Sequence, residues 1–335
     1  MLTASLSLVV GLALLAWGAD RFVYGATSIA RNFGVSPLIV GLTIVGFGTS
    51  APELLVSTVA AWQGNTELAL GNAVGSNIAN IGLVLGSAAL IHPLVVRSRI
   101  LKREYPIMAL VLLATPALLL DGRLGRLDGV LLISGLILLI AWTIHMGLRQ
   151  RVKAGTVKAA VMGSADELAQ EYAEELKQGA STPAATAWLI GGLLLLLGSS
   201  KLLVWAAIVV AQHFGMSDLL IGLTIVAVGT SLPEVATSIA SIFKGEHDIA
   251  IGNIVGSNMF NMLGVIGIAG VIHPISISPE LLNRDFLVML VLAAAMLGMA
   301  YRSRARARIG RIEGGLLLIA YCGYLAVLAW GLQTN

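Results

Sequence analysis

The sequence is poor in charge and in cysteine, and each shortage closes off a class of protein. Only 12% of its 335 residues are Asp, Glu, Lys or Arg, while 57% are apolar. An average soluble domain carries about 25% charged residues, so the balance marks an integral membrane protein. Cys322 is the single cysteine, which excludes disulfides and cysteine-based metal sites. The net charge of +3 comes without a basic patch or an aromatic stacking platform, so nothing supports nucleic-acid binding. The spans hold no nucleophile–base pair and no His-rich cluster, which makes an intramembrane enzyme the least supported class. The N-terminus lacks a basic leader. Its apolar run from Leu2 to about Ala30 is too long for a signal-peptide core and reads as a first span.

What is present is a series of apolar runs near the ~20 residues that a spanning helix needs. Ten segments qualify, at approximately 2–30, 37–61, 67–91, 104–120, 127–148, 185–212, 218–242, 248–272, 285–301 and 312–332. Residues 149–183 form the one long polar stretch, with Arg149, Arg151, Lys153 and Lys158 leading into Asp166, Glu167, Glu171, Glu174 and Glu175. It reads as an amphipathic helix on a solvated linker, with calcium regulation by those acids as the sharper alternative. With the N-terminus outside, the inner loops would hold 16 Lys and Arg: Arg31, Arg97, Arg99, Lys102, Arg103, Arg149, Arg151, Lys153, Lys158, Lys177, Lys244, Arg302, Arg304, Arg306, Arg308 and Arg311. The outer loops would hold 3, Arg123, Arg126 and Arg284. That bias places both termini outside and the 149–183 loop in the cytoplasm.

The chain also repeats itself. Gly41 to Glu53 reads Gly-Leu-Thr-Ile-Val-Gly-Phe-Gly-Thr-Ser-Ala-Pro-Glu, and Gly222 to Glu234 repeats the pattern 181 residues later. The offset holds without a gap from Phe33/Phe214 to Met108/Met289. Each unit holds five spans, an odd number, so the second enters the membrane inverted. The expected fold is an all-α membrane protein of ten transmembrane helices in two inverted five-helix repeats. The first repeat is 1–148 with its motif at 38–91, the linker 149–183, and the second repeat 184–335 with its motif at 219–272.

Thr49, Ser50 and Glu53 share one helix face by their spacing, and Ser57 extends it by a turn. Pro52 cannot donate a backbone hydrogen bond, so carbonyls near Gly46 to Gly48 are expected to be freed. The second copy supplies Thr230, Ser231, Glu234 and carbonyls around Ala227 to Gly229. These are hard oxygen ligands, suited to Na⁺, Ca²⁺ or Mg²⁺ rather than Zn²⁺ or copper. If the copies pack about a pseudo-twofold axis, Glu53 and Glu234 converge, and their joint charge matches one Ca²⁺. A salt bridge to either acid would require Arg21 or Lys201 to reach across, since the motif spans carry no cation.

The next span of each copy reads Gly-Asn-x-x-Gly-Ser-Asn-x-x-Asn, from Gly71 to Asn80 and from Gly252 to Asn261. Ser76 and Asn80, like Ser257 and Asn261, are four apart and can face the Glu-bearing helix, completing a cation shell. Asn72, Asn77, Asn253 and Asn258 are read as structural hydrogen-bonding residues, and Gly71/Gly75 and Gly252/Gly256 as close-approach pairs. Asp20, Arg21 and Lys201 stand outside the site as snorkelling or locally paired charges. His92 and His273 read as matched helix ends.

The doubled Gly-Thr-Ser-x-Pro-Glu, each followed by Gly-Asn-x-x-Gly-Ser-Asn, resembles the two alpha repeats of the calcium/cation antiporter superfamily, with prokaryotic sodium/calcium exchangers the nearest likeness. The resemblance covers nearly the whole chain. It implies exchange of Ca²⁺ and Na⁺ by alternating access, with Glu53 and Glu234 at the central cation site. Thr49, Ser50, Thr230 and Ser231, the carbonyls of Gly46 and Ala227, and Ser76, Asn80, Ser257 and Asn261 fall on the family's ligand positions. Some relatives carry Asp where this chain has Asn261, which leaves two acids rather than three. No cofactor is implied; Ca²⁺ and Na⁺ are cargo and the bilayer is the solvent. Exchange of Ca²⁺ for H⁺, or with K⁺ involved, is the alternative on the same fold, and a passive cation channel is a more distant one.

Overall fold

Helix starts and stops fall where local chemistry sets them. The structure is a computed structural model that describes residues 2–64, 66–96, 103–161, 180–213, 227–302 and 308–333. Helix α1 (Leu2–Phe33) stops where Gly34 takes a φ of 61°, a left-handed turn that glycine adopts without a Cβ penalty. Ser36 then caps α2 (Pro37–Thr49) by accepting the Ile39 N–H at 3.4 Å, with Pro37 in the first turn, where no N–H is needed. Between Gly41 and Val45 α2 widens into a π-helical stretch. The helix breaks at Ser50 and resumes as α3 (Ala51–Trp62) with a 45° bend. Pro52 in the first turn of α3 supplies the cause, because it removes an intrahelical donor and crowds the preceding turn.

Helix α4 (Thr66–Ala79) runs on through a π-helical stretch, Asn80–Leu85, to Gly86–Ile91. After α5 (Tyr105–Leu118) comes α6 (Arg126–Val161). The helix thus continues past residue 148, into the stretch read from sequence as linker. Hydropathy marks where the membrane ends, whereas the helix-forming residues beyond it carry the same backbone on. The acidic part of that linker lies outside the described residues. The second half holds α7 (Thr182–His213), α8 (Ala227–Thr230) and α9 (Leu232–Phe243). It continues with α10 (His247–Phe260), extended by a π-helical stretch Asn261–Val265 and by Ile266–Ile272. A π-helical turn at Leu281–Asp285 leads into α11 (Phe286–Arg302), and α12 (Arg311–Gln333) closes the order. His92 and His273 end their helices in matched extended conformations, as their sequence positions indicated.

Among the described residues seven helices are long and apolar enough to cross a membrane, and the bent α2–α3 pair makes an eighth. Two of the ten expected segments correspond to shorter apolar helices, Tyr105–Leu118 and Leu232–Phe243. The beginning of the segment 218–242 lies outside the described residues. The spans differ in enclosure. The most apolar window of the α10 span (His247–Ile272) is 89% buried and that of the α4 span (Leu68–Ile91) 72%, whereas those of α6 and α12 are each 17% buried. So α4 and α10 form the centre, and α6 and α12 turn apolar faces such as Leu127, Leu131, Leu138 and Ile319 outward.

The two halves are interleaved. Strand β1 (Leu94–Val95) pairs antiparallel with β4 (Arg308–Ile309), and β2 (Arg123–Leu124) with β3 (Ile275–Ser276). Each pair joins one half to the other. The closing helices cross over in the same way. A Cβ on Gly86 would lie 3.0 Å from the Gly314 carbonyl of α12, and one on Gly129 of α6 would lie 2.6 Å from the Gly267 carbonyl. The opening helices α1 and α7 pack on each other, with Gly18 and Gly25 set against the backbone of Leu196 and Leu189. Small residues at such contacts let membrane helices approach closely, where dispersion rather than water exclusion holds them.

Candidate cation site

The site is assembled at the break between α2 and α3, at its counterpart between α8 and α9, and on the central helices α4 and α10. Glu53 and Glu234 lie in the first turns of α3 and α9, and each is 1% exposed. Acidic side chains suit that position because the helix N-terminus carries partial positive charge. The hydroxyls are crossed between the copies. Ser50 Oγ donates to Glu234 Oε1 at 3.1 Å, and Thr49 also reaches the Glu234 carboxylate. Thr230, from the second copy, reaches the Glu53 carboxylate, joined there by Ser76 of α4.

The asparagines wire this centre together. Asn253 accepts from Thr49 Oγ1 at 3.0 Å and donates to Ser238 Oγ at 3.1 Å and to the Glu234 carbonyl at 3.4 Å. Its counterpart Asn72 donates to Ser57 Oγ at 2.9 Å and to the Glu53 carbonyl at 3.0 Å. Asn77 donates to the Asn258 carbonyl at 3.2 Å and accepts from Asn261 Nδ2 at 3.1 Å. Ser257 Oγ donates to the Gly46 carbonyl at 3.2 Å, which also accepts the Ser50 N–H at 3.2 Å. The Gly46 carbonyl is therefore occupied by two donors in this conformation. Ala227 opens α8 at the matching position in the second copy.

Several buried oxygens in this cluster have no hydrogen-bond donor among the described residues: Glu53 Oε2, Glu234 Oε2, Asn80 Oδ1, Asn261 Oδ1, Ser231 Oγ and Thr237 Oγ1. No Lys or Arg pairs with either acid among the described residues, and no third acid, His or Cys joins them. Arg21 sits 3.4 Å from Asp20 and over the Trp188 ring. A buried carboxylate without a compensating charge is expensive to ionise. The surroundings offer neutral oxygens in place of a fixed cation, and oxygen donors around two acids are what Na⁺ or Ca²⁺ takes from a protein.

Close packing fixes the frame of the cluster. A Cβ on Gly41 would lie 2.8 Å from the Ile249 carbonyl oxygen, and one on Gly256 would lie 2.9 Å from Leu42 Cα. Thus α2 lies backbone to backbone on α10, which brings Gly46 to Ser257 and Thr49 to Asn253. Two features of the site go beyond the sequence reading. Asn253, read there as a structural hydrogen-bonding residue, is one, and its partner Thr49 in the other copy could not be read from sequence. Thr237 is fully buried three residues beyond Glu234, and that i, i+3 spacing was the available signal. Its repeat counterpart is Val56, so comparing the two copies hides it.

Known proteins share this sequence and this fold. Residues 3–145 and 184–330 match the family model described as sodium/calcium exchanger protein. The chain is 49% identical over 328 residues to the CaxA protein of Alkalimonas amylolytica, covering 98% of this chain and 99% of that one. It is 31% identical to the sodium/calcium exchanger MaX1 of Methanosarcina acetivorans over 350 aligned positions, covering 96% of this chain and 97% of its relative. Among solved structures it superposes on the sodium-calcium exchanger NCX_Mj soaked with Na⁺ and Ca²⁺, with a TM-score of 0.81 and 31% identity over 97% of this chain and 98% of that one. With the doubled motif, the crossed hydroxyls and a match over most of its length, the chain belongs to the sodium/calcium exchanger family of transmembrane cation antiporters.

Proposed function

We propose that this protein exports Ca²⁺ in exchange for Na⁺ by alternating access at a single site between Glu53 and Glu234. The observation that carries the proposal is the crossed pairing: Ser50 of the first copy binds the carboxylate of the second, and Thr230 of the second reaches the carboxylate of the first. Any ion between the acids is then gripped by both halves, and a relative movement of the halves changes its access. One Ca²⁺ balances both carboxylates. Na⁺ ions replace it, shared among the same carboxylates, hydroxyls and amide oxygens, with Thr49, Ser231, Ser76, Asn80, Ser257 and Asn261 and the carbonyl of Ala227 completing the set; the Gly46 carbonyl joins it only once Ser257 Oγ turns away. Competition for one ligand set couples the two fluxes.

The proposed frame is ten spans in two inverted five-helix repeats, with both termini outside and residues 149–183 in the cytoplasm. The long opening helices α1 and α7 move as a gate against the centre formed by α4 and α10. A crosslink joining α1 to α3 is expected to block exchange; undiminished exchange in the crosslinked protein contradicts the gate. Exchange of Ca²⁺ for H⁺ is the second reading. It is favoured by the same buried, uncompensated carboxylates, which protons can neutralise as well as Na⁺ can. Ca²⁺ uptake into proteoliposomes under a Na⁺ gradient, with the pH gradient collapsed, separates the two.

A further inference from the structure

Several charges at or near the ends of the spans are paired among the described residues. Asp20 holds Lys244 at 2.6 Å and Arg21 at 3.4 Å. Arg103 pairs with Glu104, and its repeat counterpart Arg284 with Asp285 at 2.8 Å. Lys201 occupies the place of Asp20 in the second copy and has no ion pair among the described residues. The counterpart of Lys244 is Gln63, which is neutral.

Lys201 lines a groove of about 620 Å³ between α3 and α7, together with Pro52, Gln63, Ser200, Gly229 and Thr230. The far wall of the groove is part of the cation site, since Thr230 is the second-copy residue that reaches the Glu53 carboxylate. Ser200, one residue before Lys201, donates to the Gly229 carbonyl at 2.8 Å and so fixes α7 against that wall. The remaining walls are mostly apolar, with Leu55, Val59 and Trp205 among them. Low-dielectric walls focus the field of a charge along the opening they enclose.

We propose that Lys201 is a specificity-determining residue, whose ammonium at this groove disfavours divalent over monovalent cations on their way to Glu53. The proposal rests on the exchange reading above. A fixed positive potential lowers the local concentration of a cation by a factor that is raised to the power of the ion's charge. At about 10 Å through a water-like dielectric a unit charge changes a monovalent ion's local concentration about twofold, and therefore a divalent ion's about fourfold. The groove thus gives Na⁺ an advantage over Ca²⁺ that the symmetric ligand set lacks. The paired Asp20 at the corresponding place in the first copy provides no such bias.

The test uses the full chain in proteoliposomes, with half-saturating Ca²⁺ and Na⁺ concentrations measured for the wild type, Lys201→Gln, Lys201→Arg and Lys201→Glu. Lys201→Gln is expected to lower the half-saturating Na⁺ about twofold and the half-saturating Ca²⁺ by the square of that factor. Lys201→Arg is expected to match the wild type, and Lys201→Glu to shift both further in the same direction, again in a square relation. High concentrations of an impermeant salt are expected to erase these differences by screening. If Lys201→Gln fails to assemble, Lys201→Glu carries the same reading with a side chain that stays long and polar. Equal factors for the two ions, no shift at all, or an arginine variant that behaves like glutamine each overturn the proposal. No shift is the result for an ammonium that snorkels to lipid phosphate. A wild type that exchanges normally beside an unaltered Lys201→Gln leaves the exchange reading intact. A wild type without Na⁺-driven Ca²⁺ flux overturns both.

Discussion

The two copies of the motif agree at the centre and part company at their edges. At the centre each carboxylate is 1% exposed, each takes hydroxyls from the other copy, and Asn72 and Asn253 make matched bonds to Ser57 and Ser238. At the edge of the first copy Asp20 and Arg31 of α1 are tied to Lys244 and Glu246, on either side of the α9–α10 turn, at 2.6 and 3.3 Å. At the corresponding edge of the second copy Lys201 faces a groove instead. The shared centre is suited to determine which ions bind, because both halves contribute alike. The unlike edges are suited to bias which of those ions reaches the centre, and from which end.

The largest expected effect comes from removing the feature that the copies share. Glu53→Gln and Glu234→Gln are each expected to lower Ca²⁺ transport about 100-fold or more, from the ~3–5 kcal/mol that a broken buried charge arrangement costs. Radiolabelled Ca²⁺ uptake at equal protein levels checks this, and wild-type-like exchange in either variant removes that residue from the site. Next comes the seam between the copies. Gly256→Ala places a methyl 2.9 Å from Leu42 Cα, where backbone has to move. It is expected to destabilise by about 1–3 kcal/mol, read as a lower melting temperature in detergent. Gly315→Ala on α12 serves as the control, since a Cβ there meets no atom of a described residue within 4 Å.

Much of this arrangement was legible in the sequence, because a fixed 181-residue offset names the partners in advance. It pointed to Glu53 and Glu234 as a pair and to Asn80 and Asn261 as their neighbours, and both asparagines begin π-helical stretches. The crossing of hydroxyls was not legible, since a repeat gives equivalence between copies but says nothing about which copy a side chain faces. Asn253 hydrogen-bonds between helices as read, but its partner Thr49, 204 residues away in sequence, was not legible.

A smaller effect separates Asn80 from Asn261. Asn261 Nδ2 donates to Asn77, whereas the Asn80 amide has no hydrogen bond among the described residues. Asn261→Ala is therefore expected to cost stability by about 0.5–1.5 kcal/mol, the net worth of one hydrogen bond, as well as cation affinity. Asn80→Ala is expected to lower Ca²⁺ affinity with its melting temperature nearly unchanged. Equal thermal shifts in the two variants would remove this distinction between the copies. The smallest effect is at the edge. Asp20 and Lys244 are 41% and 28% exposed, so Lys244→Gln is expected to change stability by only about 0.2–1 kcal/mol. Its informative readout is the access of a cysteine-directed reagent to a cysteine placed at Ser57, compared with and without the ion pair.

The most direct measurement is Ca²⁺ uptake by the reconstituted chain with Na⁺, K⁺ and H⁺ gradients imposed one at a time. The expected result is uptake that follows the Na⁺ gradient alone, persists with the pH gradient collapsed, and vanishes in Glu53→Gln and Glu234→Gln. Uptake that follows only the pH gradient, or that survives both substitutions, contradicts a site where Na⁺ and Ca²⁺ compete for the same two carboxylates.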